Sequence, residues 1–591
     1  MNRPPVYGAT SVNKDTVLTC ALLCLIIFVA HFLNALHFGL YEDDYFFIST
    51  NWSFPDFLRE ARAALLTWPQ GRPIGFFLPP VLSIVGDRLG GLTAIYGIGF
   101  LILGLNTCLL YLFLRRVGTE TIAVMGALAY CLFPADTTHI LLTHAFQLQT
   151  AMTFWLVGAH LYLSDRRVLA YLAVTASLLS YETAFPVFLA IPLFRKAWDR
   201  ALSRELFRHA LILAGIMLAV VAIRLLQGEE RLGNLPAEDL PGLPITIAKS
   251  MVMGPAISML QFAYAPIRAQ LYWNWELTAL VAAPLAATFW LLRQPAQGST
   301  QDSPTPVTGG RLAIWQLYLT AILMLCLAYA LSFTHYPPVE IFGRGTSVHL
   351  ASALGGSLLF ACVWSQIIDF ANRFRLRSIA MVICSLYVSL LVGYRLLIQA
   401  DFARAWDNQR SFWTSAVELL PDITDSTVIF VVDKDLPQTQ LILSYSWANP
   451  IILAQLFRFP EHWVNPPRLF IVPELWFMGL SMVTDGGPGA AGDVATPQAQ
   501  TRATGGAGKH FEWMVPTATW ESHWEIFPDG NVVLLEVENG KLVRRQGTMT
   551  IGGLDLNLKP LPAGATLSYE RGPLFDVLIG KSAITSGTRT Q

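Results

Sequence analysis

Leu40-Tyr41-Glu42-Asp43-Asp44-Tyr45-Phe46-Phe47 closes an apolar run that begins at Thr16 and ends at Phe38. A run of about 20 apolar residues is the length that carries a helix across a bilayer core. Three consecutive carboxylates at its end are costly to bury, so they face water or a working cavity by default. The acidic cluster therefore reads as the centre of an active site at a membrane surface, with the remaining chain built around it.

Composition agrees with a membrane setting. The 591 residues are 53% hydrophobic and only 14% charged, with mean hydropathy +0.47. Soluble chains carry about 25% charged residues. The deficit, with many apolar runs, points to a polytopic α-helical membrane protein. The formal net charge of −1 and the lack of a basic tail argue against nucleic acid as a partner. The seven cysteines all fall in apolar segments and none lies beyond Cys384. No disulfide framework is expected in the C-terminal region, and Cys20 and Cys24 read as small apolar side chains on one helix. No small-x-small cleavage site precedes Glu42, so the first run is expected to be a retained helix.

Further runs fall at residues 92–114, 121–133, 147–163, 168–180, 183–194, 210–226, 277–292, 312–333, 347–368 and 378–399. With 16–38 they predict about eleven transmembrane helices, within two either way, allowing short ones inside a bundle. Alternate connections carry Arg115-Arg116, Arg166-Arg167, then Arg195, Lys196, Arg200, Arg204 and Arg208, later Arg293 and Arg311, and finally Arg373, Arg375 and Arg377. The positive-inside bias puts these loops and the N-terminus in the cytoplasm. The acidic cluster, Asp136 to His144, Tyr181-Glu182, Gly228 to Glu276, Thr334 to Arg344 and the C-terminal region are then extracytoplasmic. The expected location is a cell membrane of the bacterial inner-membrane kind.

The first outer loop, residues 40–91, holds an amphipathic stretch at 54–66 that reads as an interfacial helix. The turn-rich Trp68-Pro69-Gln70-Gly71-Arg72-Pro73 follows. A moderately apolar segment, 244–268, lies in a later outer loop, and 294–310 reads as a cytoplasmic linker. Three domains are expected: a transmembrane catalytic part at 1–399, an amphipathic connecting helix at 400–420, and an extracytoplasmic α/β or β-rich domain at 421–591. In the last, 427–432, 468–472, 531–537, 541–544 and 575–579 have strand character. Asp529-Gly530 and Asn539-Gly540 are hairpin signals, and 485–509 reads as a disordered loop.

Ionisable groups gather on the expected outer face: Asp43 and Asp44, Arg72, His139 and His144, Glu182, Arg224, Arg268 and Arg344. A spanning protein has little reason to place them there unless they line a cavity. Plain alternatives exist for each. Acids at a helix end are often only solvated, arginines such as Arg72 and Arg344 can anchor at headgroups, and helix-end histidines are usually satisfied structurally.

An N-terminal span followed at once by an acidic pair in a long outer loop resembles the GT-C fold glycosyltransferases, among them the protein O-mannosyltransferases and the lipid A aminoarabinose transferase. Asp43-Asp44, the turn at Gly71-Arg72-Pro73, the short runs around Tyr181-Glu182 and an outer C-terminal domain carry the resemblance, which covers residues 1–399 by architecture. The resemblance implies transfer of a sugar from a polyprenyl-phosphate donor to an acceptor hydroxyl of a lipid, glycan or protein, with inversion at the anomeric carbon. Glu42 leaves the register of the acidic pair open by one residue. On this reading Asp43 is the base and Asp44 orients it. Arg72, Arg224, Arg268 and Arg344 grip phosphate, and Glu182, His139 and His144 bind substrate. No resident cofactor is required. A divalent metal stays open, because carboxylates with histidines offer ligands and members of the family differ. Two other classes stand beside it: a transporter or flippase of envelope lipids or glycans, and a non-catalytic scaffold of envelope assembly. A transporter would place its charges mid-membrane with an internal repeat, and none is visible.

Overall fold

The computed structural model describes residues 14–48, 54–195, 198–227, 242–293, 312–332, 336–432, 449–472, 480–485, 509–515, 521–526, 530–539, 541–551, 554–564 and 569–580. The expected linker at 294–310 and nearly all of the expected loop at 485–509 lie outside the described residues. The chain divides into a helical unit, Met1–Leu36 with Ser53–Ala400, and a second unit, His37–Trp52 with Asp401–Gln591.

The helical unit contains α1 (Lys14–Ile27), α2 (Phe54–Thr67), α3 (Pro73–Val117), α4 (Glu120–Cys131), α5 (Leu142–Leu163), α6 (Arg167–Ser180), α7 (Arg200–Leu226), α8 (Leu243–Leu271), α9 (Trp275–Arg293), α10 (Ile314–Leu327), α11 (Ser352–Arg373) and the first part of α12 (Arg377–Glu418). Seven helices among the described residues are long and apolar enough to cross a membrane: α1 with its continuation to His37, α3, α7, α8, α9, α11 and α12. About eleven were expected, and six of those are among the seven, α8 being the addition; α4, α6, the segment Glu182–Phe194 and α10 are shorter pieces, and α5, with 22 residues, is not among the seven. Pieces of 12 to 14 residues reach only about 18–21 Å.

Local chemistry explains the short elements. Thr119 caps α4, its hydroxyl accepting from the Ile122 N–H at 3.2 Å, and Pro134 stops the helix soon after Cys131. Every residue from Ile122 to Cys131 is buried, as befits a helix apolar on all sides. Beyond α6 the chain winds as 3-10 turns, Glu182–Ala184 and Pro186–Phe194. Pro186 and Pro192 deny it the bonds of a regular α-helix.

Three expectations change. The outer loop 40–91 holds a helix, since α3 starts at Pro73 and is interrupted only at Gly90-Gly91, where Gly91 takes φ +64°. The segment 244–268 belongs to α8, a helix of 29 residues. Residues 378–399 and 402–420 form one helix, α12, because no Gly or Pro interrupts the chain between Gly393 and Pro421.

The course of α8 follows from its neighbours. The Tyr329 ring covers Gly254 and leaves no room for a Cβ, and the Tyr329 hydroxyl meets His349 Nδ1 at 2.6 Å. Phe262 stacks on Phe360 at 4.7 Å between centroids. Trp273 and Ala269 lie against Gly393, two residues from Arg395, which binds the Asp136 carbonyl. Thr137 and Thr346 are hydrogen-bonded, so the Tyr329–His349 and Asp136–Arg395 groups share one end of the bundle. The middle and the C-terminal end of α8 therefore pack against this group of residues.

The second unit is an α/β domain. Its mixed sheet joins β1 (Val428–Val432) and β2 (Arg468–Val472) with β6 (Val532–Glu538) and β7 (Lys541–Arg545), in the order β2-β1-β6-β7. The strands β1, β2 and β6 run parallel and β7 antiparallel to β6. A parallel crossover from β1 to β2 needs a covering element, and α13 (Asn449–Leu456) supplies it. Val428 to Val431 are all buried, the all-apolar pattern of a central parallel strand. The hairpin expected at Asn539-Gly540 is present, with Glu538 opposite Lys541 and Asn539 at φ +51°. A second, antiparallel sheet of β3 (Leu480–Asp485), β4 (Lys509–Val515) and β5 (Glu521–Ile526) was not foreseen. Residues 575–579, expected as a strand, hold a helical turn at Phe575–Leu578 instead.

Candidate functional site

The acidic stretch belongs to the second unit. Two tyrosines flank it and fix it there. The Tyr41 hydroxyl donates to the Phe402 carbonyl at 2.9 Å, and the Tyr45 hydroxyl donates to Gln409 Oε1 at 2.6 Å. Gln455 Nε2 donates to the Tyr45 carbonyl at 2.9 Å. Burial raises both tyrosine pKa values well above the ordinary range. Between them Glu42 turns the chain at φ +47°, and Asp44–Phe47 make one helical turn. Asp44 is fully buried, and its Oδ2 accepts from the Tyr41 N–H at 3.3 Å. Asp43 begins the turn and is partly exposed, as is Glu42. The pair is therefore unequal: Asp44 closes its own turn, while Asp43 reaches the surface.

The other candidates lie in the helical unit. Trp68, Gln70 and Gly71 all take positive φ before Pro73. This tight turn delivers Arg72 to Glu182, where two parallel bonds form, Nε to Oε2 at 2.7 Å and Nη2 to Oε1 at 2.6 Å. The Arg72 guanidinium also lies over the Tyr181 ring, 4.2 Å from its centroid. Arg224 donates to the Gln70 carbonyl at 2.7 Å and packs so closely on Gly71 that a Cβ there would overlap it. Arg224 also acts electrostatically on Glu182. One carboxylate thus stands between two guanidiniums.

The loop after α4 forms the next group. Asp136 is 1% exposed, and its Oδ1 accepts from Thr138 twice, from N at 2.9 Å and Oγ1 at 2.7 Å. Arg395, equally buried, donates to the Asp136 carbonyl at 2.6 Å and to that of Phe133. Its cation thereby caps the C-terminal end of α4. His139 packs on His31, 4.8 Å between ring centroids, and His31 contacts the Cys131 carbonyl at 2.7 Å. Burial, with the Arg395 charge, pushes the His139 imidazole well below its usual pKa range. His144 lies within electrostatic reach of Arg344, Asp136 and Arg72. His349, held by Tyr329 and by the Glu340 carbonyl at 2.8 Å, is lowered to about 4 by burial.

These contacts link Arg72, Arg224, Arg344 and Arg395 with Asp136 and Glu182. Glu340 lies against Gly345, beside Arg344, so four guanidiniums face three carboxylates, a formal net charge of +1 among these described residues. Arg268 stands apart on α8, donating to the Tyr264 hydroxyl at 2.8 Å and facing the Tyr272 ring. Among the described residues no group of three or more His, Cys, Asp or Glu could hold a metal ion. Sequence reasoning missed Arg395 and His31. Arg395 had a usable signal, a lone cation in the apolar run 378–399.

Comparison with protein families, with curated proteins and with solved structures finds no match to this chain.

Proposed function

We propose that this membrane protein is a glycosyltransferase that moves a sugar from a polyprenyl-phosphate donor to an acceptor hydroxyl at the extracytoplasmic face, with inversion. The observation that carries the reading is the net positive charge among Arg72, Arg224, Arg344, Arg395, Asp136, Glu182 and Glu340. A phosphate leaving group needs cations rather than a general acid, and guanidiniums provide them in bidentate form. Glu182 engages Arg72 with both oxygens, so Arg72 is a positioning residue, and Arg224 and Arg344 are the proposed phosphate ligands. Arg395 is committed to the carbonyls of the α4 end.

Asp43 is the proposed base. Its carboxylate is more exposed than that of Asp44, and a base must reach the proton it removes.

The test uses the full chain in lipid nanodiscs with radiolabelled polyprenyl-phosphate pentoses, hexoses and hexosamines. Release of the lipid phosphate together with a product of inverted anomeric configuration supports the reading. Absence of turnover with every donor and acceptor class overturns it and favours the transporter or scaffold readings.

A further inference from the structure

Nearly all buried polar atoms in folded proteins have a hydrogen-bond partner. The stretch from Asp136 to Gln147 departs from that rule. Asp136, His139, His144 and Gln147 are 1%, 6%, 8% and 5% exposed. Among the described residues, Asp136 Oδ2, His139 Nδ1, His144 Nδ1 and Gln147 Nε2 are buried and unpartnered. The groups are neighbours: His144 senses the Asp136 charge, and His139 senses His144. Gln147 stands one turn beyond His144 on α5, on the same face. Each unsatisfied group costs about 1–3 kcal/mol, so four together are a steep penalty for packing alone to carry.

The chemistry of the four atoms narrows the occupant. One is a carboxylate oxygen that only accepts, one is an amide nitrogen that only donates, and two are imidazole nitrogens of either role. A hydroxyl both donates and accepts, and several on one ring match such an interleaved set. An anion is disfavoured beside the Asp136 carboxylate, and no cluster suited to a metal is present among the described residues. We propose that Asp136, His139, His144 and Gln147 form a buried subsite for the hydroxyl-bearing sugar ring of the substrate. The phosphate goes to the arginines. The assignment rests on the glycosyl-transfer reading for the identity of the ring, while the subsite itself stands on the unpartnered atoms.

His144→Phe keeps an aromatic ring and removes both nitrogens, and no hydrogen bond within the described residues depends on Nδ1. The full chain in nanodiscs is titrated with free pentoses, hexoses and N-acetylhexosamines by saturation-transfer NMR, alongside thermal unfolding and donor turnover. Wild type is expected to bind at least one sugar. His144→Phe should weaken that binding at least tenfold with unfolding temperature unchanged or higher. If His144→Phe fails to fold, Gln147→Met, similar in shape, carries the same expectation. Binding by wild type that either folded variant retains overturns the subsite and leaves ordered water as the partner of these atoms. Absence of sugar binding by wild type also overturns it, even with turnover intact. Sugar binding lost in the variant without turnover of any donor keeps the subsite and sinks the transferase reading.

Discussion

Asp44 and Asp136 are both buried carboxylates in tight turns, yet they are spent differently. Asp44 belongs to a stretch locked by neighbours. Tyr41 and Tyr45 carry it onto α12, and its own carboxylate accepts from the Tyr41 backbone. Asp136 has one oxygen committed to Thr138 and one left unpartnered among the described residues. The triple acid run is the louder feature of the chain, but loudness in sequence measures composition. Unsatisfied bonding capacity is a property of the fold, and it concentrates on the quieter stretch from Asp136 to Gln147.

The sharpest test of that contrast is a pair of substitutions in the acidic turn. Asp43→Asn should lower kcat for sugar transfer by about 10²–10⁴-fold, the range for loss of a general base, with KM and unfolding temperature nearly unchanged. Asp44→Asn should act through stability, about 1–2 kcal/mol from a weakened turn bond. Equal kinetic losses with unchanged stability would erase the distinction between the two acids.

On the Asp136 side, Arg395→Met should destabilise the helical unit by about 1–3 kcal/mol, because the buried carbonyls of Phe133 and Asp136 lose their donor. Thermal unfolding in detergent reads the loss. A shift of only a few tenths would mean that the loop after α4 is held by something other than Arg395.

Acid should expose the same region. His349 is held at about 4 against an ordinary value of 6.5. Above pH 6.5 it is neutral in both folded and unfolded chains and contributes no pH dependence. As pH falls from about 6.5 towards 4, the unfolded chain takes up a proton that the folded chain refuses, so stability is lost across that window, by about 3 kcal/mol at its lower end. His349→Gln should flatten the pH profile of unfolding between these limits, and an unchanged slope would assign the acid sensitivity elsewhere.

The smallest effect concerns the ion pair. Arg72 and Glu182 retain 11% and 21% side-chain exposure, so water screens them in part. A double-mutant cycle with Arg72→Gln and Glu182→Gln should give a coupling of about 1–2 kcal/mol in stability. Coupling near zero would leave Arg72 unconstrained by Glu182 and return it to the phosphate-binding arginines.

Much of the helical unit was legible because hydropathy and helix punctuation are local. The edges of α4, α6 and α9 fall within a few residues of the apolar runs. The pairing of Arg72 with Glu182 was anticipated only as shared location. Their bidentate bond depends on a turn with three positive φ values that no periodicity announces. The helix α8 escaped because Lys249, Pro255, Pro266 and Arg268 dilute its apolar signal. The extra sheet of β3, β4 and β5 escaped because its strands carry Lys509, Glu512, Glu521 and Glu525 among their apolar residues, which blurs a period-two pattern.

By itself the sequence determined a helical membrane protein, the turn at Asn539-Gly540, the end of α12 at Pro421 and the position of its acidic stretch. Each follows from neighbours along the chain: a solvent that excludes unpaired backbone, a residue that tolerates positive φ, a ring that blocks a helix. Only the tertiary structure decided which polar groups are spent and which remain. Arg395 meets Asp136 across some 260 residues of chain, and His349 meets Tyr329 through packing of separate helices. Hydrogen-bond satisfaction depends on what lies within about 3 Å in space, and distance along the chain does not report it.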